Sequence, residues 1–331
     1  MGAARAHHYG RADRSPKRHP NESRGIMKRS CICILAHNEE AQLADTLRSL
    51  RRCSGANQMP TIVYANGCTD RTVGVVGALS QTMELIDVVE LAIASKVNAW
   101  NRAFRESDTD YVVFSDGDIE AEEDAIEKLL GALDENPEAV IAACRFSPKR
   151  GKSVTRESKI VGFLQQPLVF DYLCGGLYAV NRAALDRVFR EHSIDGIPQG
   201  VTGEDEFLDM LLSRRQLLIV DTRFFYAAPG LDDFCKVLAR FDWQARQLAT
   251  HYAVFAHPEK KAKNRLIRRL LKKLSSGGVS WWPGLPAVGL RYLFRAVYAR
   301  RIADYLRTFG AIEPDGAKVL SSQSRTGSGR S

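Results

Sequence analysis

Short apolar runs alternate with amphipathic stretches between residues 31 and 146. The first run, CICILA at residues 31–36, is apolar at every position, which indicates a strand covered on both faces. The stretch that follows places Leu43, Leu47 and Leu50 on one helical face. This alternation predicts an α/β fold in which a mostly parallel central sheet is flanked by crossover helices.

The same pattern continues along the chain. We expect further strands at residues 61–65, 84–91, 110–116 and 139–146. We expect helices after the first two strands, at residues 95–107, and over the apolar positions Ile126, Leu129, Leu130 and Leu133. No internal repeat is visible. The length of the chain suits one large domain or two small ones.

Polar clusters follow three of the predicted strands. They are HNEE at residues 37–40, NGCTD at residues 66–70 and DGD at residues 116–118. Ligands of open α/β sheets bind beyond the carboxyl ends of the strands. The shared position of the clusters is therefore the first indication of a functional site.

The DGD cluster interrupts an apolar strand with two closely spaced acids. Asp116 and Asp118 are two residues apart, and Gly117 lets the backbone turn between them. Two carboxylates held this close repel each other unless a cation lies between them. A divalent cation with oxygen ligands, Mn²⁺ or Mg²⁺, fits this arrangement, whereas a solvated turn is the alternative for any such pair. The position after the strand YVVF favours the metal.

Composition indicates an ordinary globular protein of 331 residues, 45% hydrophobic and 26% charged. The seven cysteines are odd in number and contain no C-x-x-C pair, which argues against a disulfide framework and a zinc ribbon. A reducing compartment, the cytoplasm, is the simplest interpretation. The basic, polar segment 1–26 has no apolar core typical of a signal peptide. We expect it to be a disordered tail, with Met27 as an alternative start.

The net charge has opposite signs in two parts of the rest of the chain. Residues 27–258 carry a net charge of −8 and form the predicted catalytic domain, whereas residues 259–307 carry +11. We expect residues 259–310 to form a basic, helical C-terminal appendage and residues 311–331 to be a flexible tail.

The appendage combines basic residues with an apolar helical face and with Trp281 and Trp282, features typical of binding to an anionic membrane surface. Its apolar stretch, residues 279–290, is too short to span a bilayer. A helical pair packed on the domain is the alternative. We expect no nucleic-acid partner, because no aromatic stacking module accompanies the charge.

Six segments resemble motifs of family 2 glycosyltransferases of the GT-A fold, in the order in which that family has them. They are LAHNEE, YANGCTDRT, SKVNAWN, DYVVFSDGD, CGGLYAVNRAAL and GEDEFL, and the resemblance covers roughly residues 28–255. Two positions depart from the family pattern. Leu35 replaces the usual proline, and Ala65 stands where the family often has an acid.

The resemblance implies a role for particular residues. Those expected to bind the nucleotide sugar are Ala36, Glu39, Asn66, Lys96 and Asp116. Asp116 and Asp118 would hold the metal, and Asp205 would be the catalytic base. Residues expected on the acceptor side are Gly175, Gly176 and Glu204. For Asp205 and Glu204, capping the start of the helix EDEFLDMLLSRR is an alternative that is compatible with catalysis.

We therefore expect an inverting, metal-dependent transferase at the inner face of the cell membrane. The donor would be a nucleotide diphosphate sugar, with uridine diphosphate favoured, and the acceptor a saccharide or a lipid-linked hydroxyl. A nucleotidyltransferase of similar fold is one alternative, although the Gly-rich phosphate loop typical of that class is missing from CICILAHNEE. An inactive nucleotide-sugar binding module is another, although Asp116, Asp118 and Asp205 are all present.

Overall fold

The computed structural model describes residues 29–148, 173–226, 235–236, 239–240, 243–244, 247–248 and 251–258. The expectations for the tail 1–26, the appendage 259–310 and the tail 311–331 lie outside these residues. In the part of the chain that is described, no helix is both long and apolar enough to cross a membrane.

The described residues form a single sheet with helices packed against it. The strands are β1 (Ser30–Ala36), β2 (Thr61–Asn66), β3 (Ile86–Leu91), β4 (Tyr111–Asp116), β5 (Ile119–Ala121), β6 (Ile141–Pro148), β7 (Leu177–Asn181) and β8 (Leu217–Tyr226). The helices are α1 (Leu43–Arg52), α2 (Thr72–Leu79), α3 (Lys96–Glu106), α4 (Ala125–Glu135), α5 (Arg182–Glu191) and α6 (Glu204–Leu211), and 3₁₀ turns lie at Ala56–Gln58 and Ala253–Phe255.

The strand order is β3-β2-β1-β4-β7-β6-β8-β5. Strands β3, β2, β1 and β4 are parallel, so their carboxyl ends lie at one edge of the sheet. Strand β7 runs antiparallel to both β4 and β6, and β5 runs antiparallel to β8. As a result, the start of β7 lies beside the end of β4, and the segment before β7 reaches the same edge.

All five predicted strands are confirmed as β1, β2, β3, β4 and β6, and the α/β architecture is confirmed with them, with a mixed sheet in which β7 and β5 run antiparallel to their neighbours. Strands β5, β7 and β8 were not predicted. Strand β5 has only three residues, too few for a periodic pattern, and β7 lies inside a segment whose glycines and arginine had suggested a ligand contact.

The burial of β1 on both faces explains why its sequence is apolar throughout. Cys31, Cys33 and Leu35 face the layer that contains α3, whereas Ile32 and Ile34 face the layer that contains α1 and α4. All five side chains are buried. Side chains on a strand alternate between its two faces, so a strand covered on both sides has no position left for a polar residue.

The indole of Trp100 connects α3 to the sheet. Its ring stacks on Phe104 and Phe114, with centroids 5.0 and 4.9 Å apart, and its Nε1–H donates to the hydroxyl of Tyr178 at 2.8 Å. Both Trp100 and Tyr178 are fully buried. This contact fixes the position of the helix whose first residue is Lys96.

Replacing Tyr178 with Phe should lower the free energy of unfolding by about 1–3 kcal/mol, because the buried Nε1–H of Trp100 would lose its acceptor. Urea unfolding of Tyr178→Phe, Trp100→Phe and the double variant measures the coupling between the two side chains. In the Trp100→Phe background, the Tyr178→Phe change should cost clearly less. An equal cost in both backgrounds would mean that the hydrogen bond contributes nothing.

Candidate active site

The polar clusters predicted from the sequence meet at the carboxyl edge of the parallel strands. The HNEE loop follows β1, the NGCTD loop follows β2, and Asp116 is the last residue of β4. The first turns of α3 and α6, which carry Lys96 and Asp205, lie at the same edge. A single ligand at this edge could therefore contact side chains from five different elements.

The loops after β1 and β2 are joined by hydrogen bonds between backbone and side chain. Asp70 Oδ2 accepts from the Glu40 N–H at 3.0 Å, and Thr72 Oγ1 accepts from the Glu39 N–H at 2.8 Å. In the opposite direction, Asn38 Oδ1 accepts from the Thr69 N–H at 2.8 Å. These reciprocal bonds fix the backbone on which Glu39 is placed.

Asn66 and Ala36 close the gap between the ends of β2 and β1. Asn66 Nδ2 donates to the Ala36 carbonyl at 2.7 Å, and both residues are buried. The next residue, Gly67, has a φ of +56°, and a Cβ there would lie 2.5 Å from the backbone nitrogen of Ala94. Only glycine fits this turn, which passes directly against the loop leading into α3.

The turn that carries Asp116 and Asp118 is held from two sides. Thr46 Oγ1 of α1 donates to the Gly117 carbonyl at 2.9 Å, and the Asp116 N–H donates to the Gly176 carbonyl at 3.0 Å. Thr46 is buried, so its hydroxyl has no competing bulk water. The structure thus fixes the position of the predicted metal turn before any ligand arrives.

Lys96 lies between two carboxylates. Its Nζ is 2.6 Å from Asp116 Oδ1 and 2.7 Å from Glu204 Oε1. The Glu204 side chain is only 2% exposed, compared with 34% for Lys96 and 29% for Asp116. An ammonium between two carboxylates offsets charges that would otherwise repel in a site with little water.

The pKa values of this cluster follow from burial and charge. Burial acts to lower the pKa of Lys96, but the charges of Asp116, Glu204 and Asp205 outweigh it and hold that pKa well above its ordinary value. Burial raises the pKa of Glu204, and the charge of Lys96 opposes that rise. Lys96 therefore carries a positive charge throughout the physiological range.

Glu39 faces the metal turn from the loop after β1. Burial is the main reason that its pKa is raised to about 7, and the charges of Asp118, Asp116 and Asp70 raise it further. A Cβ on Gly117 would lie 3.0 Å from Glu39 Cγ, so the glycine lets this side chain approach the turn closely. Three acids, Glu39, Asp116 and Asp118, thus share one negatively charged region.

This region fits a divalent cation with part of its ligand shell supplied from outside. Among the residues that the structure describes, no group of three or more side chains converges as a complete metal site. Asp116 and Asp118 supply hard carboxylate oxygens, and burial together with the like charges of these acids raises the pKa of Glu39. A cation held there would need further oxygens from a diphosphate and from water.

Asp205 lies at the start of α6 and contacts the segment that leads into β7. Its Oδ2 accepts from the Gly175 N–H at 3.0 Å, and its Oδ1 accepts from the Glu206 N–H at 2.9 Å. A Cβ on Gly175 would lie 2.8 Å from Asp205 Oδ2, so glycine is needed at this position. One helical turn later, Asp209 Oδ1 accepts from the Leu173 N–H at 3.1 Å, so two carboxylates of α6 anchor this segment.

The structure therefore brings the predicted site residues together in connected pairs. Lys96 joins Asp116 to Glu204, whereas Asp205 contacts Gly175, and Gly176 contacts Asp116. Sequence reasoning missed the roles of Asp70 and Thr72, which join the first two loops. Asp70 Oδ1 also accepts from the Thr72 N–H at 3.0 Å, and an Asp that bonds the backbone two residues later is the typical Asx-turn pattern by which the sequence could have indicated this role.

The family model for glycosyl transferase family 2 matches residues 31–192 of the chain. This match covers β1 to α5 and includes the three polar clusters and Lys96. No protein among the curated proteins compared with the chain matches it significantly.

Several solved structures are similar to the chain. The mannosyltransferase PcManGT from Pyrobaculum calidifontis, in complex with GDP-Man and Mn²⁺, is 18% identical over 90% of this chain and 80% of its own, with a TM-score of 0.51. S. aureus TarS 1-349 in complex with UDP-GlcNAc is 15% identical over 85% of this chain and 90% of its own, with a TM-score of 0.49. The chain spans 64% of another TarS 1-349 chain and 54% of a further TarS chain.

Replacing Glu39 with Gln should stabilise the protein at pH 8 by on the order of 1 kcal/mol, a figure reduced for the partial exposure of the side chain. The folded protein holds the Glu39 proton up to a pH of about 7, whereas the unfolded chain releases it near its ordinary pKa of 4.5. The charge therefore destabilises the fold progressively as pH rises through this window.

Urea unfolding between pH 4 and pH 8 measures this effect. The stability gain of Glu39→Gln should disappear near pH 4, where both states are protonated. Glu90→Gln, at an exposed position on β3, is the matched control and should show no such trend. A gain that is independent of pH, or a loss at pH 8, would contradict the interpretation.

Proposed function

Because residues 31–192 make the chain a member of glycosyl transferase family 2, with the GT-A fold, we propose that it transfers a sugar from a nucleotide diphosphate donor to a hydroxyl acceptor. We propose further that the transfer inverts the anomeric carbon and uses a divalent metal. The observation that carries the proposal is the convergence of Asp116, Lys96 and Asp205 at one edge of the sheet. These residues supply the functional groups that such a transfer needs on its two sides.

On the donor side, the leaving nucleoside diphosphate gains negative charge as its bond to the sugar breaks. A Mn²⁺ or Mg²⁺ ion bound to the diphosphate supplies positive charge at that point. Asp116 and Asp118 are the residues proposed to hold it. Lys96, 2.6 Å from Asp116, adds an ammonium within reach of the same phosphates.

The nucleoside would lie along the loops after β1 and β2. Ala36 and Asn66 are buried and bonded to each other, so we propose that they shape the pocket floor rather than present free side-chain groups to the base. Glu39, on the interlocked loop above them, is the proposed polar contact to the ribose or base. The interlocking fixes this contact before the donor binds, which lowers the entropy cost of binding.

On the acceptor side, an alcohol is a poor nucleophile until a base takes its proton. Asp205 is the proposed base, because its carboxylate is held by two backbone N–H groups at the start of α6. Gly175 brings backbone close to this carboxylate, and Gly176 lies against the ring of Phe224. If the alcohol attacks from the Asp205 side, opposite to the diphosphate, the anomeric carbon is inverted.

For the donor, we propose a UDP-linked sugar, on the resemblance of the first two loops to the family motifs. A GDP-linked sugar is the second candidate, because the similar structure with a TM-score of 0.51 holds GDP-Man. Ala65, which stands where the family often has an acid, removes one group that could distinguish between the bases.

For the acceptor, we propose a saccharide or a lipid-linked hydroxyl at the cytoplasmic face of the membrane, as in the assembly of a cell-envelope polysaccharide. Support comes from the charge of the sequence, because residues 259–307 carry +11 beside a domain of −8. Each Lys or Arg near an anionic leaflet contributes about 1 kcal/mol of attraction. Such an appendage would orient the acidic domain away from the lipid and concentrate it near a lipid-linked acceptor.

Asn substitutions at Asp205 and Asp118 should have opposite signatures. Asp205→Asn should lower kcat on the order of 100-fold to 10,000-fold and leave donor affinity unchanged, because proton transfer occurs only in the transition state. Asp118→Asn should weaken the affinity for the nucleotide in the presence of Mn²⁺. Calorimetry with UDP and Mn²⁺, together with transfer assays, separates the two effects. Near-normal transfer by Asp205→Asn would place the base elsewhere, with Glu204 next in line.

The full chain should sediment with vesicles that contain anionic lipid and should be released in part at high salt. Replacing Arg268, Arg269, Lys272 and Lys273 with Gln should remove most of the binding. The matched control replaces four exposed arginines of the domain, Arg48, Arg102, Arg105 and Arg215, and should bind as the wild type does. If the wild type ignores these vesicles at low salt, the acceptor is soluble and the appendage has another role.

A further inference from the structure

The ammonium of Lys96 forms ion pairs with two buried oxygens. Asp116 Oδ1 and Glu204 Oε1 are shielded from solvent, and neither has a hydrogen-bond partner among the described residues. Lys96 is 2.6 and 2.7 Å from these oxygens. One oxygen of Asp116 is therefore already paired with a cation of the protein itself.

We propose that Lys96 is an internal substitute for the metal and that Glu204 is the positioning residue that holds it. In the protein without donor, Lys96 neutralises Asp116. If a divalent metal binds together with a diphosphate, Asp116 would release the ammonium, and Glu204 would keep Lys96 tethered at the site. The inference rests on the proposed metal role of Asp116 and adds a competition that the proposed function does not require.

Glu204 is suited to this role by its burial and position. Its side chain is 2% exposed and belongs to the first turn of α6, so its carboxylate has little freedom to follow a departing ammonium. A buried carboxylate that lost its partner would be strongly destabilised, so Lys96 has a reason to remain. The next residue is Asp205, so the first turn of α6 carries both the carboxylate that binds Lys96 and the proposed base.

The competition predicts that removing Lys96 raises the affinity for the metal. If the Lys96 charge only supported the fold, its removal should instead weaken ligand binding. If Lys96 must leave Asp116 before the metal binds, removing Lys96 should strengthen the binding of the metal alone. A long-range electrostatic effect would also strengthen binding in Lys96→Met, so the single variant cannot separate the two explanations.

The double variant Lys96→Met with Glu204→Gln separates the contact with Asp116 from the net charge of the cluster. It removes one positive and one negative charge, so this net charge is unchanged, but the ammonium 2.6 Å from Asp116 Oδ1 is gone. Mn²⁺ binding without nucleotide, measured from the electron paramagnetic resonance signal of the free ion, should become about tenfold tighter than in the wild type. Replacing Arg102 with Met and Glu106 with Gln removes an exposed ion pair of α3 and is the matched control, with no expected change.

Equal Mn²⁺ affinity in the wild type and the double variant, or no binding by either, would overturn the proposal. If the double variant does not fold, Lys96→Gln with Glu204→Gln keeps polar groups in contact and is judged by the same criterion. Failure of the proposed function would appear differently, as absence of donor turnover in the wild type. Failure of this inference alone would leave that turnover intact and the metal affinity of the double variant unchanged.

Discussion

The meeting of carboxylates at one edge of the sheet is the constraint on which the site depends. Asp116, Glu39 and Glu204 come from three different elements, and burial together with like charge raises the pKa of Glu39 to about 7. The Lys96 ammonium offsets part of this charge by contacting Asp116 and Glu204. The remaining negative charge is the feature on which the proposed binding of a divalent cation and a diphosphate rests.

The fold surrounds this charge with rigid supports. Thr46 holds the metal turn from α1, and Trp100, hydrogen-bonded to Tyr178, holds the helix that begins at Lys96. The antiparallel direction of β7 matters equally, because it brings Gly175 to Asp205 beside the end of β4. The residues proposed for the donor side and those proposed for the acceptor side are therefore adjacent although they come from distant parts of the chain.

Sequence reasoning predicted the parallel half of the sheet well, because strands buried on both faces, such as β1, leave continuous apolar runs. It missed β5, which has only three residues, and it missed β7 and β8, although LYAV and LLIV are apolar runs of the kind that predicted the other strands. It also proposed Asp116 and Asp118 as a metal pair from their spacing, and Asp116 does end β4 at the edge where the polar clusters meet. The contact of Lys96 with Glu204 could not be predicted, because one sequence gives no distance between residues so far apart.

Release of a nucleoside diphosphate from a panel of nucleotide sugars, measured for the purified full chain with Mn²⁺ and with a chelator, tests the central claim most directly. The account predicts slow hydrolysis of one class of donor, UDP-linked or GDP-linked, that requires the metal and is lost in Asp116→Asn. No release from any nucleotide sugar, together with release of pyrophosphate from a nucleoside triphosphate and a sugar phosphate, would contradict it and indicate a nucleotidyltransferase instead.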